Sequence, residues 1–413
     1  MQVSSPSVDA TLRERAQRVV PGGMWGHLHV SRLPDGYPQF FARADGCKLW
    51  DVDGRSYIDF MCSWGPNLLG HHNVEVDSAV EHQARLGDCM NGPAEVMVEL
   101  AEMVVDTIAH ADWVQFQKNG TDATTTCVSI ARAATSRRKI LAARGAYHGA
   151  VPWCSPSLVG VTAEDRAHVL YFDYNDVESL SRAAEQAGND LAGVLVSAFR
   201  HDLARDLECP TTAFVQAVRA LCDQTGAALI LDEVRAGFRL NLAGSWEPLG
   251  VSPDLAAWSK AIANGHPIAA VTGRDWLRKA ASQVFVTGSF WCGAVPMAAA
   301  LATMKIMRRG GVIEHLETMG TTLRSGIGAL AQRHGVGLRQ SGPVQMPLIL
   351  FEDDPDFAKG NLFCQIALSR GVYFNPRHNM FLCRAHGEAE IDVAIAAVDA
   401  GLTAVAARFP AAS

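Results

Sequence analysis

The sequence predicts an α/β fold, in which helices cover a mostly parallel sheet, together with a smaller α+β unit. Between about residues 93 and 271, short apolar runs alternate with helical patterns, which is typical of parallel strands connected by helices. After a helix predicted over residues 295–308, the pattern changes to short strands and a closing helix over residues 388–407. Because 413 residues exceed what one hydrophobic core usually supports, we expect more than one domain.

Local patterns predict each element in turn. A helix over residues 11–20 ends at a Pro-Gly-Gly break, and an Asp-Gly pair between two β-rich runs predicts a hairpin over residues 47–60. The apolar runs predicted as strands are residues 113–116, 139–142, 193–196, 228–231 and 269–271 in the main sheet, and residues 336–339, 346–351 and 380–383 in the small unit. We therefore expect an N-terminal segment (residues 1–60) that packs with the small domain, a large domain (residues 61–308) and a small C-terminal α+β domain (residues 309–413).

The composition is that of a soluble enzyme that acts on small molecules. Hydrophobic residues make up 48% of the chain and charged residues 19%, and the formal net charge is -7. No stretch is dense in Lys and Arg, so neither nucleic acid nor a membrane is expected as a partner. The ten cysteines are scattered without metal-site spacing, and neither a signal peptide nor a membrane-spanning run is found. We expect reduced thiols, no bound metal and a cytoplasmic location.

Lys260 is the most informative residue, since it ends the apolar stretch of residues 253–260. An amine placed there can lose its proton easily, and an unprotonated amine forms a Schiff base with an aldehyde. Asp232 follows another apolar run, which is typical of a fully buried parallel strand, and ligands bind beyond the carboxyl ends of such strands. The pair suggests pyridoxal phosphate (PLP), with Lys260 on its aldehyde and Asp232 on its ring nitrogen. A Ser-Lys pair by itself more often starts a helix or lies in a solvated loop.

Two further loops carry residue types that suit this cofactor. Residues 119–123, Asn-Gly-Thr-Asp-Ala, follow a predicted strand and precede a helix, so that backbone N–H groups, a hydroxyl and the helix dipole can bind a phosphate. The alternative is an ordinary helix N-cap. Tyr147 and Gly149 follow the next strand, where an aromatic ring either stacks on a flat heterocycle or merely packs the loop. Four strand ends thus offer a phosphate site, a ring stack, a ring-nitrogen partner and an amine.

These motifs, in this order, resemble the class III aminotransferases of the PLP-dependent fold-type I group, in particular the branch that contains glutamate-1-semialdehyde aminomutase. The resemblance extends over nearly the whole chain. Its motifs are Pro21-Gly22-Gly23, Trp50-Asp51-Val52-Asp53-Gly54, Ser63-Trp64-Gly65-Pro66, Asn119-Gly120-Thr121-Asp122-Ala123, Tyr147-His148-Gly149, Asp232-Glu233-Val234, Ser259-Lys260 and Ala385-His386. It implies a seven-stranded central sheet and an enzyme that moves amino groups.

The resemblance also implies a role for each matching residue. Lys260 would be the Schiff-base lysine and proton shuttle, and Asp232 would pair with the pyridinium. The other residues implied in cofactor binding are Asn119, Gly120 and Thr121 at the phosphate, Tyr147 and Val234 on the two faces of the ring, His148 beside them, and Ser289 at the phosphate of a neighbouring subunit. A shared site of that kind would require a homodimer.

The chain departs from the aminomutase branch at the substrate positions. His29 stands where that branch has an arginine for the substrate carboxylate, and losing the guanidinium removes a planar carboxylate clamp. His29, Trp64 and Arg377 are the candidate substrate contacts, with Arg384 a second candidate anchor; a structural histidine or a solvated arginine is the alternative. We expect an aminotransferase with an amino acid or amine donor and a carbonyl acceptor. An intramolecular aminomutase, a racemase and a non-catalytic relative are the alternatives.

Overall fold

A computed structural model describes residues 7–410. The helices in this range are α1 (Val8–Val19), α2 (Val74–Leu86), α3 (Glu95–Thr107), α4 (Gly120–Thr135), α5 (Val177–Ala187), α6 (Thr212–Thr225), α7 (Arg278–Gln283), α8 (Ala294–Arg308), α9 (Val312–His334), α10 (Ala358–Ser369) and α11 (Glu388–Arg408). The strands are β1 (Phe41–Asp45), β2 (Lys48–Asp51), β3 (Ser56–Asp59), β4 (Trp113–Gln117), β5 (Lys139–Ala143), β6 (Val169–Phe172), β7 (Leu191–Ser197), β8 (Ala228–Asp232), β9 (Leu255–Trp258), β10 (Ala269–Gly273), β11 (Leu338–Ser341), β12 (Leu348–Phe351) and β13 (Val372–Tyr373).

The central sheet has seven strands in the order β4-β10-β9-β8-β7-β5-β6. The pairs from β9 to β6 are parallel, and β10 runs antiparallel to both of its neighbours. The prediction of a mostly parallel seven-stranded sheet is therefore confirmed. Strand β6 was not predicted, because it is a four-residue edge strand that pairs only with β5 and leaves Tyr171 exposed, so it lacks a continuous buried run.

Helices bury both faces of the central sheet. On one face, α4 and α7 pack their small apolar side chains, such as Ala123, Cys127 and Ile130, against alternate residues of the strands. Each buried Ile or Leu side chain stabilises this layer by about 1.5–3 kcal/mol. On the other face, α2, α3 and α8 join the larger core. This packing brings the N-terminus of α4 to the edge of the sheet at which the parallel strands end.

The small unit is built from two further sheets and helices α9 to α11. One sheet has the order β1-β2-β3-β13, in which β13 lies parallel to β3, and the other pairs β11 with β12. Residues 41–59 therefore share a sheet with residues 372–373. The predicted boundary near residue 309 falls between α8 and α9. The division of the chain into three parts stays a prediction.

Residues 380–383 do not form the strand that the sequence predicts. The N–H groups of Met380 and Leu382 donate to the carbonyls of Pro347 and Gln345, at 2.8 and 3.1 Å, while that of Phe381 donates to the opposite side. Its acceptor is the carbonyl of Phe60, at 2.7 Å. The segment is buried and extended, which explains its apolar sequence, but it lies between two segments with single hydrogen bonds and has no regular ladder.

Candidate active site

Lys260 and Asp232 lie at the carboxyl ends of adjacent strands. Strands β8 and β9 are parallel, and Asp232, the last residue of β8, is in register with Ala257 of β9. Lys260 follows Ala257 by three residues and begins a short 3-10 turn that ends at Ala263. It has a φ of 50°, a left-handed conformation that non-glycine residues rarely adopt and that is frequent at functional sites.

The surroundings of Lys260 favour its neutral form. Burial lowers the pKa of Lys260 to about 7, helped by the positive charges of Arg235 and Arg239, while the carboxylate of Asp232 acts in the opposite direction. A neutral amine is the nucleophilic form of a lysine side chain. At neutral pH this site therefore presents a large fraction of reactive amine, whereas an exposed lysine would be almost fully charged.

Asp232 is held in one orientation by two contacts. Nδ1 of His148 lies 2.7 Å from Oδ2 of Asp232, and the backbone N–H of Val234 donates to Oδ1 at 3.0 Å. Both side chains are buried, at 6% and 4% relative exposure for Asp232 and His148. A buried carboxylate fixed in this way can hold a proton on an aromatic ring nitrogen, since the charge pair is little screened by water.

Helix α4 supplies an anion site beside this carboxylate. The side chain of Asn119 caps the helix by accepting the N–H of Asp122 at 3.2 Å. The N–H groups at the start of a helix have no partner within the helix, so those before Asp122 remain available. A Cβ atom at Gly120 would lie 2.7 Å from Cγ1 of Val234, so only glycine lets the helix start approach the end of β8. The free N–H groups and the helix dipole suit the phosphate of PLP.

The loop of Tyr147 and His148 is tied to the same helix. The hydroxyl of Thr124 in α4 donates to the carbonyl of His148 at 2.6 Å. Gly149 has a φ of 134°, and a Cβ there would lie 2.8 Å from the hydroxyl oxygen of Thr121, so the chain passes close to the helix start. The residue Tyr147 is 44% exposed.

Trp64 packs against two histidines whose pKa values are lowered in part by the charge of Lys260. The ring of Trp64 makes edge contacts with His27 and His378, at centroid distances of 4.6 and 4.8 Å. The pKa of His27 is lowered by burial and by the charges of Lys260 and Arg32, and that of His378 is lowered well below its usual value, chiefly by burial. These two histidines are therefore neutral neighbours of the amine.

Arg239 fixes the loop that carries Trp64. Its fully buried guanidinium donates to the carbonyl of Gly65 at 2.7 Å, to that of Asn67 at 3.3 Å and to that of Leu382. The loop needs such support because Trp64 has a φ of 67°, in the left-handed region. The arginine thus joins the Trp64 loop to the buried segment that follows His378.

The surroundings of three candidate residues, His29, Arg377 and Ser289, differ from those of the residues around Lys260. The Nδ1 atom of His29 lies 2.7 Å from the Ser31 hydroxyl, so its contacts are local. The guanidinium of Arg377 lies 4.8 Å from the ring centroid of Phe357. Ser289 is exposed, on the loop between α7 and α8. Their assigned roles stay predictions, as do those of the cofactor residues.

Arg235 and His201 are two titratable residues close to Lys260 that were not identified from the sequence. Arg235 follows Val234 and influences the pKa of Lys260. The pKa of His201 is lowered well below its usual value by burial and then by Arg235 and Lys260. The position of Arg235, three residues beyond a buried strand that ends in Asp232, is the one signal that could have indicated it.

Comparison with known proteins agrees with this geometry. The family model for class III aminotransferases matches residues 33–386. The chain therefore belongs to the class III aminotransferases. It is a PLP-dependent aminotransferase, and its Asp232 carboxylate, α4 N-terminus and neutral Lys260 amine fit that cofactor.

Relatives of this chain carry several activities. It is 49% identical to the aminopentol aminotransferase of Sphingopyxis macrogoltabida over 96% of this chain and 94% of the relative. It is 33% identical to the glutamate-1-semialdehyde 2,1-aminomutase of Bordetella avium over 94% and 97%. The solved structure of the FumI protein of Sphingopyxis sp. MTA144, in its PLP internal aldimine form, superposes with a TM-score of 0.96, 48% identity and 98% of each chain covered. Within the described residues, no helix is long and apolar enough to cross a membrane.

Proposed function

We propose that this aminotransferase carries an amino group from a donor amine to a separate carbonyl acceptor, with Lys260 as the amine that holds the cofactor and moves the proton. The observation that carries the proposal is the buried Lys260 amine at the strand end adjacent to Asp232, where burial lowers its pKa to about 7. PLP, when bound, supplies an aldehyde for amines and a ring that withdraws electrons from the substrate carbon.

The proposed role of Lys260 has two parts, which are attachment of its amine to the cofactor aldehyde and transfer of a proton. Once a donor amine has replaced it on the cofactor, the Lys260 amine would be free to take the proton from the substrate carbon and return it to the aldehyde carbon of PLP. A base for this work functions best when its pKa is close to the working pH. The pKa of about 7 for Lys260 meets that condition.

The role that we assign to Asp232 is to keep the ring nitrogen protonated. His148 supports it, since Nδ1 of His148 lies 2.7 Å from the Oδ2 atom and leaves the second carboxylate oxygen to the N–H of Val234. Asn119, Gly120 and Thr121 are the proposed phosphate ligands, through the helix N-terminus. Tyr147 and Val234 are the proposed contacts on the two faces of the ring.

The transfer of the amino group to a separate acceptor is favoured over an intramolecular aminomutase. The relative at 49% identity is named an aminotransferase, and a second one, the 3-aminobutyryl-CoA aminotransferase of Cloacimonas acidaminovorans, is 31% identical over 96% of each chain. His29 replaces the arginine by which the aminomutase branch holds its substrate. The placement in the aminomutase-like branch has less support than membership of the family. His29, Trp64 and Arg377 remain the proposed substrate contacts.

The experiment that tests this proposal is a panel of amine donors and carbonyl acceptors with the purified, PLP-loaded protein. We expect pyridoxamine phosphate to form, with release of a carbonyl compound, and a second substrate to restore PLP. An isomeric amine without a released carbonyl would indicate an aminomutase. Loss of optical activity of an amino acid without any keto acid would indicate a racemase. Borohydride should fix the cofactor on Lys260, and Lys260→Ala should have no turnover.

We propose in addition that the protein acts as a homodimer. The loop between α7 and α8 carries Ser289 and two large apolar side chains, Phe285 at 90% and Phe290 at 62% relative exposure. Exposed aromatic residues close together indicate a surface that is covered in the assembly. Native mass spectrometry should give twice the chain mass, and Ser289→Ala should weaken PLP binding without dissociating the dimer. The ten free cysteines suit the reducing conditions of the cytoplasm, the location that we propose.

A further inference from the structure

We propose that Cys62 and Cys383 are a redox-sensitive pair, which forms a reversible disulfide when a peroxide oxidises the protein. The two residues belong to distant parts of the chain. Cys62 begins the loop that carries Trp64, and Cys383 ends the buried segment of residues 380–383. Neither thiol takes part in the proposed transfer of the amino group. The effect of the disulfide on activity nevertheless rests on that proposed function, since Trp64 is a proposed substrate contact.

The sulfur atoms of the two cysteines are neighbours in the folded chain. They and a ring nitrogen of His386 all lie within 4.8 Å of one another. The thiol of Cys62 donates to the carbonyl of Phe381 at 3.4 Å, so its side chain faces the segment that carries Cys383. Both cysteines are buried. Because a disulfide has an S–S distance of about 2.0 Å, an approach of less than about 3 Å brings the sulfurs together.

The surroundings distinguish the two thiols. The pKa of Cys383 is lowered well below its usual value, first by a hydrogen bond from the Cys62 thiol and then by His386, although burial acts in the opposite direction. The pKa of Cys62 is raised well above its usual value by the same hydrogen bond and by burial. Because the thiolate is the nucleophilic form of cysteine, Cys383 is the thiol that reacts first and Cys62 is the one that closes the disulfide.

A metal ion suits this cluster less well than a disulfide does. Nδ1 of His386 accepts the backbone N–H of Cys383 at 2.9 Å, so the lone pair that a metal would need is in use. The thiol of Cys62 faces two backbone carbonyls, those of Asp59 at 3.5 Å and Phe381 at 3.4 Å. A structural zinc site takes four ligands, whereas the group found among residues 7–410 has three. Two thiols need no further ligand to form a disulfide.

The oxidation is a two-electron reaction with hydrogen peroxide. The Cys383 thiolate attacks one peroxide oxygen, so that an S–O bond forms, the O–O bond breaks and hydroxide leaves, to become water with the proton that this thiol has lost. The Cys62 sulfur then attacks the sulfenic acid, so that the S–S bond forms, the S–O bond breaks and hydroxide leaves with the Cys62 proton as water. A dithiol reductant reverses the reaction by exchange and is itself oxidised to a disulfide.

Access to the sulfurs depends on the loop that begins at Cys62. Residues 62–64 have φ values of 46°, 53° and 67°, three left-handed conformations in succession that are unfavourable for non-glycine residues. Contacts with other segments therefore hold the loop in place, among them the hydrogen bonds from Arg239 to the carbonyls of Gly65 and Leu382. When the loop opens, hydrogen peroxide, which is little larger than water, reaches the sulfurs, and bulky thiol reagents do not.

The disulfide changes the active site through Trp64. This residue is two positions beyond Cys62, and its ring contacts His27 and His378 at centroid distances of 4.6 and 4.8 Å. Drawing Cys62 toward Cys383 moves the backbone of the loop, and the indole ring moves with it. Because a misplacement of about 1 Å can cost about 100-fold in rate, the oxidised protein should be the less active form.

The first test detects the disulfide itself. PLP-loaded protein that carries Cys89→Ser, Cys209→Ser and Cys292→Ser lacks the exposed thiols that peroxide would attack first. After treatment with hydrogen peroxide and then catalase, the protein is denatured and its remaining thiols are alkylated. We expect the loss of two alkylation sites and, in a non-reducing digest, a peptide that joins Cys62 to Cys383. Dithiothreitol should restore both thiols.

The second test measures activity in the same background, with the most active donor and acceptor of the panel. We expect peroxide to lower kcat/KM about 10-fold or more, and dithiothreitol to restore it. Cys62→Ser and Cys383→Ser should each prevent both the cross-link and the loss of activity. Cys222→Ser, which changes a buried cysteine of α6, is the matched control and should retain both responses.

Three outcomes of the first test would overturn the pairing. Complete alkylation of both cysteines after peroxide treatment would show that they do not react. A cross-link between Cys47 and Cys383 would assign the disulfide to another pair, since Cys47 is a third buried thiol whose pKa is raised by burial and then by Cys383. One bound zinc ion per chain that protects Cys62 and Cys383 from peroxide would identify the cluster as a metal site.

The activity test separates the remaining possibilities. A complete cross-link between Cys62 and Cys383 with unchanged activity would overturn the effect on the Trp64 loop and leave the redox pair in place. A protein that forms the cross-link but transfers no amino group with any donor and acceptor would contradict the proposed function, while the disulfide would still be supported.

Discussion

His148 and Asp232 form a buried pair at the carboxyl end of the central sheet, with Nδ1 of His148 2.7 Å from Oδ2 of Asp232. The two residues are 84 positions apart in the chain, since His148 lies in the loop that follows β5 and Asp232 is the last residue of β8. The pair places a carboxyl group in a poorly screened environment. In the proposed role, it would stabilise a protonated ring nitrogen of PLP far more than a solvated aspartate would.

The first prediction concerns this pair. Asp232→Asn should retain PLP but lower kcat about 100- to 1,000-fold, because the amide cannot hold a proton on the ring nitrogen. His148→Gln should lower kcat only about 10-fold, since the carboxylate remains and only its fixed orientation is lost. Steady-state kinetics and the absorbance spectrum of the bound cofactor check both variants. Equal losses in the two would contradict the separate roles.

The second prediction concerns pH. The folded-state pKa of Lys260, about 7, lies below the ordinary lysine value of 10.5, so the neutral amine is present above about pH 7 and is lost as the pH falls through it. Covalent attachment of PLP to the cofactor-free protein should therefore accelerate between about pH 6 and pH 8 and then level off. Stopped-flow absorbance with borohydride trapping measures this rate. A rate that keeps rising to pH 10 would indicate an unperturbed lysine.

The third prediction follows from the same burial. An amine with a lowered pKa opposes folding wherever the unfolded chain would hold its proton, which is the case below about pH 10. Lys260→Met should therefore make the cofactor-free protein more stable at pH 7, by about 1 kcal/mol, while abolishing activity. Urea unfolding without PLP measures the change in the free energy of unfolding. Lys305→Met, on the exposed side of α8, is the matched control, for which little change is expected.

The fourth prediction concerns the start of α4. Gly120→Ala would place a Cβ atom 2.7 Å from Cγ1 of Val234, so that the helix start and this side chain must move apart. We expect PLP affinity to fall about 10-fold or more and stability to fall by about 1–3 kcal/mol. Gly92→Ala is the control, because no atom lies within 4 Å of its added Cβ. Unaltered PLP titration of Gly120→Ala would argue against a phosphate site at this helix.

The fifth prediction concerns Arg239. Replacing it by Lys should lower the free energy of unfolding by about 3 kcal/mol, because one ammonium cannot reach the three carbonyls that the buried guanidinium satisfies. The Trp64 loop should then become susceptible to proteolysis. Denaturant unfolding and limited digestion measure the two effects. Arg278→Lys, whose side chain is 53% exposed, should change stability by less than about 0.5 kcal/mol.

Much of the fold follows from local patterns, and the exceptions have physical reasons. Residues 228–231 were predicted as a strand because a strand buried on both faces must be apolar throughout, and β8 is buried along its whole length. The same criterion wrongly predicted a strand at residues 380–383, because a buried extended segment is equally apolar. The difference lies in its hydrogen-bond partners at Phe60, Gln345 and Pro347, which are distant in the chain.

By itself, the sequence determined the family and the cofactor, because these depend on residue types at short spacings. Only the tertiary structure decided which side chains surround the amine. His27 and His29 are two positions apart, and packing selects His27 for Trp64 while His29 contacts Ser31. Arg235 donates to the side chain of Asn379, which is 144 positions away. Such contacts depend on how distant segments pack, and no local pattern of residues records them.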